Sequence, residues 1–403
     1  MRFGKAKSLV ASMAVLGLAL TGCANSASSA DGAGDGDGTL KVLVLGGLGA
    51  EGILANNAAT SVTAAEASVA AVNEAGGVLG KKLEIEVIDD RADPTVAVTK
   101  LREKLAEGEK PVAVMNSGPS TVAEAILPVL TQKQILSFNI GPTETSTDPS
   151  VNPLNFDLSP SVQDYIDGFV PEIQRKKYEK VAVLHGSSAT GELFGKLTEQ
   201  TFTSSGLKVT GNEGYDNAAL DMTPQLEKLK SSNPDALVLD SYGAPLAYVL
   251  QGIEKLGWDV PVIGNNSVAA TSLVATDPPA GVLGTSQVKN LTMQVFESTK
   301  FDPKSEKLNA AVKLMAETGT VGSSLILAYN YDAMWLLKSA AESSNSLEAK
   351  NIAEALLDSK VQEAAQTQIL PKYAFTSESH APHMEPEHLI FISPSKMVNG
   401  QFQ

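Results

Sequence analysis

From Thr39 onward, short apolar runs alternate with helix-length stretches, and the runs end in glycine, serine, asparagine or aspartate. The runs at 40–45, 83–88, 112–115 and 135–140 are followed by Gly46-Gly47, Asp89-Asp90, Asn116-Ser117-Gly118 and Gly141-Pro142-Thr143. Runs of this length separated by helices suit parallel strands joined by right-handed crossovers. The first run of units is expected to add helices at 61–73, 93–107 and 122–130, with Asp93-Pro94 as an N-cap followed by proline in the first turn. A second series has the same rhythm: strands at 154–158, 181–184, 207–210, 236–239 and 262–263, and helices at 162–177, 191–204, 224–231 and 245–256. The expected fold class is therefore α/β, with two doubly wound parallel-sheet lobes. The last third differs. It reads as an extended return crossing at 281–289, helices at 305–317, 323–341 and 347–358, a strand at 389–392 and an Asn399-Gly400 hairpin turn.

The stretch VAVMNSGPSTVA at 112–123 is the sharpest chemical signal. A buried strand passes through a turn of small and hydroxyl residues into a helix, leaving backbone N–H groups free at the helix start. Such donors suit a carboxylate, and in open α/β sheets ligands lie at the carboxyl ends of strands. The bland reading is a βα loop in which Ser120 or Thr121 caps its own helix.

The N-terminus carries Arg2, Lys5 and Lys7, an apolar stretch at 9–20 too short to span a bilayer, and then Leu20-Thr21-Gly22-Cys23. This resembles the bacterial lipobox, which implies a signal peptide at 1–22, a lipidated Cys23 as the mature N-terminus and a tether at 23–38 rich in Ser, Ala, Gly and Asp. Cys23 is the only cysteine, so the body has neither a disulfide nor a thiol nucleophile. The net charge of -15 argues against a nucleic-acid partner, which needs a basic face. There is no Gly-x-Ser-x-Gly elbow, Walker loop or zinc-protease motif, and the glycines at 44–49 do not form Gly-x-Gly-x-x-Gly. Asp89 and Asp90 are strand neighbours on opposite faces, so they do not form an acid pair. No enzyme, cofactor or metal is expected. His380, His383 and His388, with Glu385 and Glu387, lie in a proline-containing segment and read as a solvated loop. His185 ends a second-series strand and reads as a structural hydrogen-bonding group or a ligand contact.

Several segments, taken in order, resemble one family. They are VNEAGGVLGKK at 72–82, Asp89-Asp90 with Asp93-Pro94, Asn233-Pro234-Asp235-Ala236, Tyr242-Gly243 and Tyr331-Asp332-Ala333. Together the chain is similar to the substrate-binding proteins of ABC importers for branched-chain amino acids, the leucine/isoleucine/valine-binding type. The resemblance implies a type I periplasmic-binding-protein clamp, two lobes joined by three crossings that close on ligand. The implied lobes are 39–155 with 287–370, and 156–286 with 371–403. It also implies that Ser117, Gly118, Ser120 and Thr121 hold a ligand carboxylate, that Gly141 and Thr143 add contacts, and that Tyr242 helps hold an ammonium. Asn266 stands where relatives often carry an acid, Thr190 where an aromatic is expected, and the position near Asn57 also departs. Asp240, Glu51 or Glu144 could substitute for the missing charge, or the solute is an atypical amino acid, an amide or urea-like compound, or a carboxylate without an amine. The implied function is an extracytoplasmic, lipid-anchored monomer that delivers a small polar solute to the permease and ATPase of an ABC importer. The alternative is a sensing module of the same fold that passes its closed state to a signalling partner.

Overall fold

The computed structural model describes residues 38–108 and 110–403. The signal peptide, Cys23 and nearly all of the tether lie outside the described residues. The first series runs β1 (Leu40–Gly46), α1 (Ile53–Glu74), β2 (Leu83–Asp89), α2 (Pro94–Ala106), β3 (Ala113–Asn116), α3 (Ser120–Gln132), β4 (Ser137–Asn139) and β5 (Asn155–Asp157). Its strands form a wholly parallel sheet in the order β2-β1-β3-β4-β5. Asp93 caps α2 by accepting from the Thr95 and Val96 N–H groups, with Pro94 in the first turn, as the sequence predicts. Alternate residues of each strand serve opposite faces. Leu43, Leu45 and Val114 pack with Ala97, Leu101, Val122 and Ile126 on one side. Val42, Val44 and Met115 join the core that contains Val62 and Val69 of α1 on the other.

The second series is α4 (Val162–Arg175), β6 (Lys180–Gly186), α5 (Ala189–Ser204), β7 (Lys208–Tyr215), α6 (Thr223–Ser231), β8 (Ala236–Leu239), α7 (Pro245–Lys255), β9 (Val262–Gly264), α8 (Asn266–Ala270) and β10 (Leu291–Phe296). Then follow α9 (Glu306–Thr318), α10 (Asn330–Ser344), α11 (Ala349–Leu356), α12 (Ser359–Ala364), β11 (Leu389–Ile392), β12 (Met397–Val398) and β13 (Gln401–Phe402). The second sheet has the order β11-β10-β9-β8-β6-β7, with only β11 antiparallel. Val181, Val183 and Val238 face Phe169, Phe194 and Phe202 of α4 and α5. Ala182, Leu184 and Leu237 face the core that includes Leu226 of α6 and Val249 of α7. Both sheets are thus covered on two sides, which is the doubly wound α/β arrangement.

The chain crosses between the sheets three times: after β5, after β10 and before β11. The first and third crossings are tied together. His380 stacks on Phe156 with centroids 4.2 Å apart, and its Nδ1 lies 2.9 Å from the Asn155 carbonyl oxygen. His383 Nδ1 meets Asp164 of α4 at 2.9 Å. His380 and His383 are therefore structural ties; His380 is buried rather than solvated as the sequence suggests, while His383 and His388 are exposed. Burial lowers the His380 pKa, so the ring is neutral at pH 7.

Several expectations shift. Residues 281–289 form turns and a 3-10 segment, Ser286–Val288, not an extended crossing. The strand there is β10, which belongs to the second sheet although the expected boundary put it with the first. β5 extends the first sheet to Asp157, past the expected limit at 155. Tyr373 reaches back to Asp332 of α10, so the return to the second sheet comes later than 371. The helix expected at 323–341 splits into a 3-10 turn, Leu325–Leu327, and α10. The Leu327 carbonyl accepts from Ser61 Oγ of α1 rather than from the next turn. The end of the chain is a two-stranded hairpin, β12 with β13, closed by Asn399-Gly400 with both φ values positive.

Asp332 anchors the third crossing from inside. Its carboxylate accepts from the N–H groups of Gln368, Ile369 and Leu370 and from the Tyr373 hydroxyl at 2.6–3.1 Å. Asp332→Ala would leave four donors unpaired, three of them on buried residues. The expected loss is about 3 kcal/mol or more of unfolding free energy, read by urea denaturation.

Candidate functional site

Because the strands that lead into these helices are parallel, the helices all begin at the strands' carboxyl ends. The starts of α1, α3, α5 and α7 line one cavity of about 630 Å³ between the two sheets. A larger groove, about 910 Å³, shares none of these residues and is flanked by the exposed Asp302, Lys304, Glu306 and Lys307.

The first sheet supplies residues 51–54, 118–121 and 140–142 to the cavity wall. Pro119 is the N-cap of α3 and offers no side-chain cap, so the Ser120 and Thr121 N–H groups have no partner among the described residues. Neither hydroxyl caps its own helix, so the bland capping reading does not apply. A Cβ on Gly141 would meet the Ser120 nitrogen at 2.7 Å, and only glycine lets the β4 turn lie this close to the start of α3.

Gly118, Ser120, Thr121, Gly141, Thr190, Tyr242 and Asn266 all line the cavity. Two expected residues do not. Ser117 is buried, its N–H donates to the Leu45 carbonyl at 2.8 Å, and its hydroxyl accepts from Asn330 Nδ2 at 2.6 Å. Thr143 closes a turn on Ser146: its N–H donates to Ser146 Oγ at 2.8 Å and its hydroxyl accepts from the Ser146 N–H at 3.0 Å. Both side chains are consumed in holding the loops that present their neighbours.

Across the cavity, Ser188 caps α5 by accepting from the Gly191 N–H. Thr190 bonds directly to the first sheet's side: its N–H donates to Ser120 Oγ at 3.2 Å and its hydroxyl to the Pro142 carbonyl at 2.7 Å. Lys196 and Glu144 pair at 2.8 Å beside these bonds, so Glu144 is an outer ion pair and not a cavity acid. The two sides are therefore in contact, the closed arrangement. His185 does not line the cavity; its Nδ1 lies 3.2 Å from the Gly186 carbonyl oxygen, and its ring fills the space beside Gly195.

The cavity also contains groups that the sequence reading did not name. Ser159, Tyr165 and Tyr329 meet at the crossings, with hydroxyl separations of 2.9 and 3.1 Å. Burial pushes both tyrosines well above the usual phenol range, so this floor is neutral. Ile326 and Leu327 add an apolar side. The position of Ser159 just past a strand was a usable signal; that of Tyr329, distant in sequence, was not. Burial raises the Tyr242 phenol to about 12, against a smaller lowering by Asn57. Asp240, at the end of β8, lines the cavity and is buried; burial raises its pKa, opposed by hydrogen bonds from Asn265 and Gly186. No cluster of three metal-binding side chains occurs among the described residues.

Comparison with known proteins agrees with this architecture. The periplasmic binding protein family matches residues 39–385. The leucine-, isoleucine-, valine-, threonine- and alanine-binding protein of Pseudomonas aeruginosa is 24% identical over 294 residues, 71% of this chain and 74% of that protein. A type 1 periplasmic binding protein of Bordetella pertussis superimposes with a TM-score of 0.75 at 21% identity, covering 88% of this chain and 96% of that one. A fatty acid ABC transporter substrate-binding protein of Thermomonospora curvata does so with a TM-score of 0.70 at 16% identity, covering 90% and 93%. These structures share the fold.

Thr190→Val removes the hydroxyl that ties the two sides and leaves the Pro142 carbonyl unpaired. The closed form should lose about 0.5–1.5 kcal/mol. Small-angle X-ray scattering of the ligand-free variant should then give a larger radius of gyration than the parent.

Proposed function

Because the chain belongs to the periplasmic binding protein family, we propose that it is a lipid-anchored receptor that captures a small polar solute outside the cytoplasm and delivers it to an ABC importer. The family's work is solute binding, not catalysis. One observation carries the reading: the cavity between the sheets gathers unpaired N–H groups and hydroxyls from one side and hydroxyl, amide and carboxylate groups from the other.

In this reading Ser120 and Thr121 receive a carboxylate or amide oxygen through their free N–H groups and hydroxyls, assisted by the field at the start of α3. Gly118 and Gly141 keep the two loops close enough to do so. Tyr242 and Asn266 meet the solute from the second side as it closes. Ile53, Leu54, Ile326 and Leu327 receive its apolar body. Closure about the three crossings shields the solute from water, and the closed form docks on the permease. Energy comes from the importer's ATPase. The solute is an amino acid or a related amide or carboxylate; the Pseudomonas relative is named for five amino acids and the Thermomonospora neighbour for fatty acid. The chain acts as a monomer held to the membrane through Cys23, the reading of the Leu20-Thr21-Gly22-Cys23 sequence.

A solute that binds only the folded form raises stability by mass action, by about 2.7 kcal/mol at a hundredfold excess over Kd. Thermal melts against amino acids, amides and carboxylates should show at least one saturable rise in Tm, and a panel without any rise contradicts the proposal. Cys23→Ser should move the protein from the membrane fraction to the soluble fraction on cell fractionation. Retention in the membrane contradicts the lipid anchor.

A further inference from the structure

We propose that His383, held between Asp164 and Glu385, is a proton-operated tie of the hinge, so that the two sheets keep their closed arrangement more firmly in acidic than in alkaline surroundings. The proposal takes from the solute-binding reading above only that the crossings act as the hinge.

The contacts of one ring carry it. His383 Nδ1 lies 2.9 Å from Asp164 Oδ1, and Nε2 lies 3.2 Å from Glu385 Oε1. A neutral imidazole has a single N–H, so its other nitrogen would turn a lone pair toward a carboxylate oxygen. Both hydrogen bonds are made only with a proton in each contact. No lysine or arginine among the described residues pairs with Asp164 or Glu385, so the proton on the ring is their counter-charge.

The place of the tie gives it a consequence. His383 belongs to the third crossing, where its own N–H donates to the Tyr373 carbonyl at 3.2 Å. Asp164 stands in the first turn of α4, at the end of the first crossing. Its Oδ2 closes the helix start by accepting from the Ser161 N–H at 3.1 Å and the Ser161 hydroxyl at 2.9 Å. Ser159 and Tyr165, close to it on the same stretch, line the cavity. The tie therefore joins two of the three crossings where one of them enters the cavity floor.

The ring is also placed to read the surroundings. The His383 side chain is 62% exposed and exchanges protons with solvent, whereas that of Asp164 is 8% exposed. On α4 the charge facing the ring is Asp164; Asp167, about a turn further on, is engaged by Gln163 Nε2 at 2.8 Å. On its own segment the facing charge is Glu385. Partial burial lowers the His383 pKa, but the two carboxylates outweigh it and the net shift is upward. Burial raises Asp164 as well, against hydrogen bonds from Ser161 and His383, so the pair keeps its proton as a unit. The contribution is complete below the ordinary imidazole value of 6.5 and is lost as the pH rises through the raised one. The other anchors of the crossings do not change in that window. His380 is neutral there and bonds to a backbone carbonyl, and Asp157 and Asp332, raised to about 6 by burial, change charge below it.

The test needs no solute and uses protein freed of ligand by partial unfolding and refolding. Proton NMR follows the histidine Cε1–H signals, with that of His383 identified by its loss in His383→Gln. Its titration midpoint should be higher in the parent than in Glu385→Gln, an exposed substitution that leaves Asp164 and the cap of α4 in place. Small-angle X-ray scattering between pH 6.5 and 9 should show the radius of gyration of the parent rising with the same midpoint, as the open-to-closed ratio grows about two- to fivefold. His383→Gln should hold one value throughout, larger than that of the parent at pH 6.5. A parent radius that does not change, an equal rise in His383→Gln, or a midpoint no higher in the parent than in Glu385→Gln overturns the inference and leaves solute capture intact. Solute capture is read separately, by thermal melts at fixed pH. If no solute binds while the radius follows His383, the hinge inference stands and the receptor reading fails.

Discussion

Backbone N–H groups in the first turn of a helix have no partner inside it, and here the helices that follow the parallel strands begin at one gap. Parallel pairing forces this. Each strand must end on the same edge of its sheet, so each following helix starts there. With the carboxyl edges of both sheets turned to one cavity, donors collect from two directions. At α5 the chain closes the account itself through Ser188; at α3, where Pro119 offers no side chain, Ser120 and Thr121 keep their N–H groups open. What fills such a place must bring its own acceptors.

The proposed capture cycle adds a second requirement, that the two sheets separate and meet again without losing register. The crossings are held by directional groups set in one apolar cluster that runs through both sides. His380 against Phe156, His383 against Asp164 and the Ser159–Tyr165–Tyr329 hydroxyl chain are short-range and directional. Across the mouth, the contacts are Thr190 with Ser120 and Pro142, and the exposed Lys196–Glu144 pair, which contributes little. The proposed cycle needs such a closure to be reversible, and a few hydrogen bonds of about 0.5–1.5 kcal/mol each suit that need better than the far larger cost of opening either core.

Legibility in the sequence followed the locality of the signal. The Asp93-Pro94 start of α2 was plain because cap and proline act on adjacent residues. The Ser-Gly-Pro-Ser-Thr turn was placed correctly at a strand end, yet the reading counted Ser117 with Gly118, Ser120 and Thr121. The Ser117 hydroxyl is taken by Asn330, more than two hundred residues away, which no local pattern shows. Thr143 was lost to a turn bond with Ser146. The helix expected from 61 begins eight residues earlier, at Ile53; Asn57 in its first turns is buried and accepts from Ser323 Oγ, a partner far along the chain. The β10 strand, by contrast, was visible and overlooked: Leu291, Met293 and Val295 alternate as a strand should. Asp240 was noticed as an acid at a strand end, but its burial, with Gly191 packed against its carboxylate, is a fact of packing.

The central claim is that one small solute sits between the two sheets, touching both. A crystal structure of the protein with its tightest solute tests this most directly. The account predicts density in the cavity within hydrogen-bond distance of the Ser120 or Thr121 N–H on one side and of Tyr242 or Asp240 on the other. A solute in the groove beside Lys304, or one held by a single sheet with the other turned away, would contradict it.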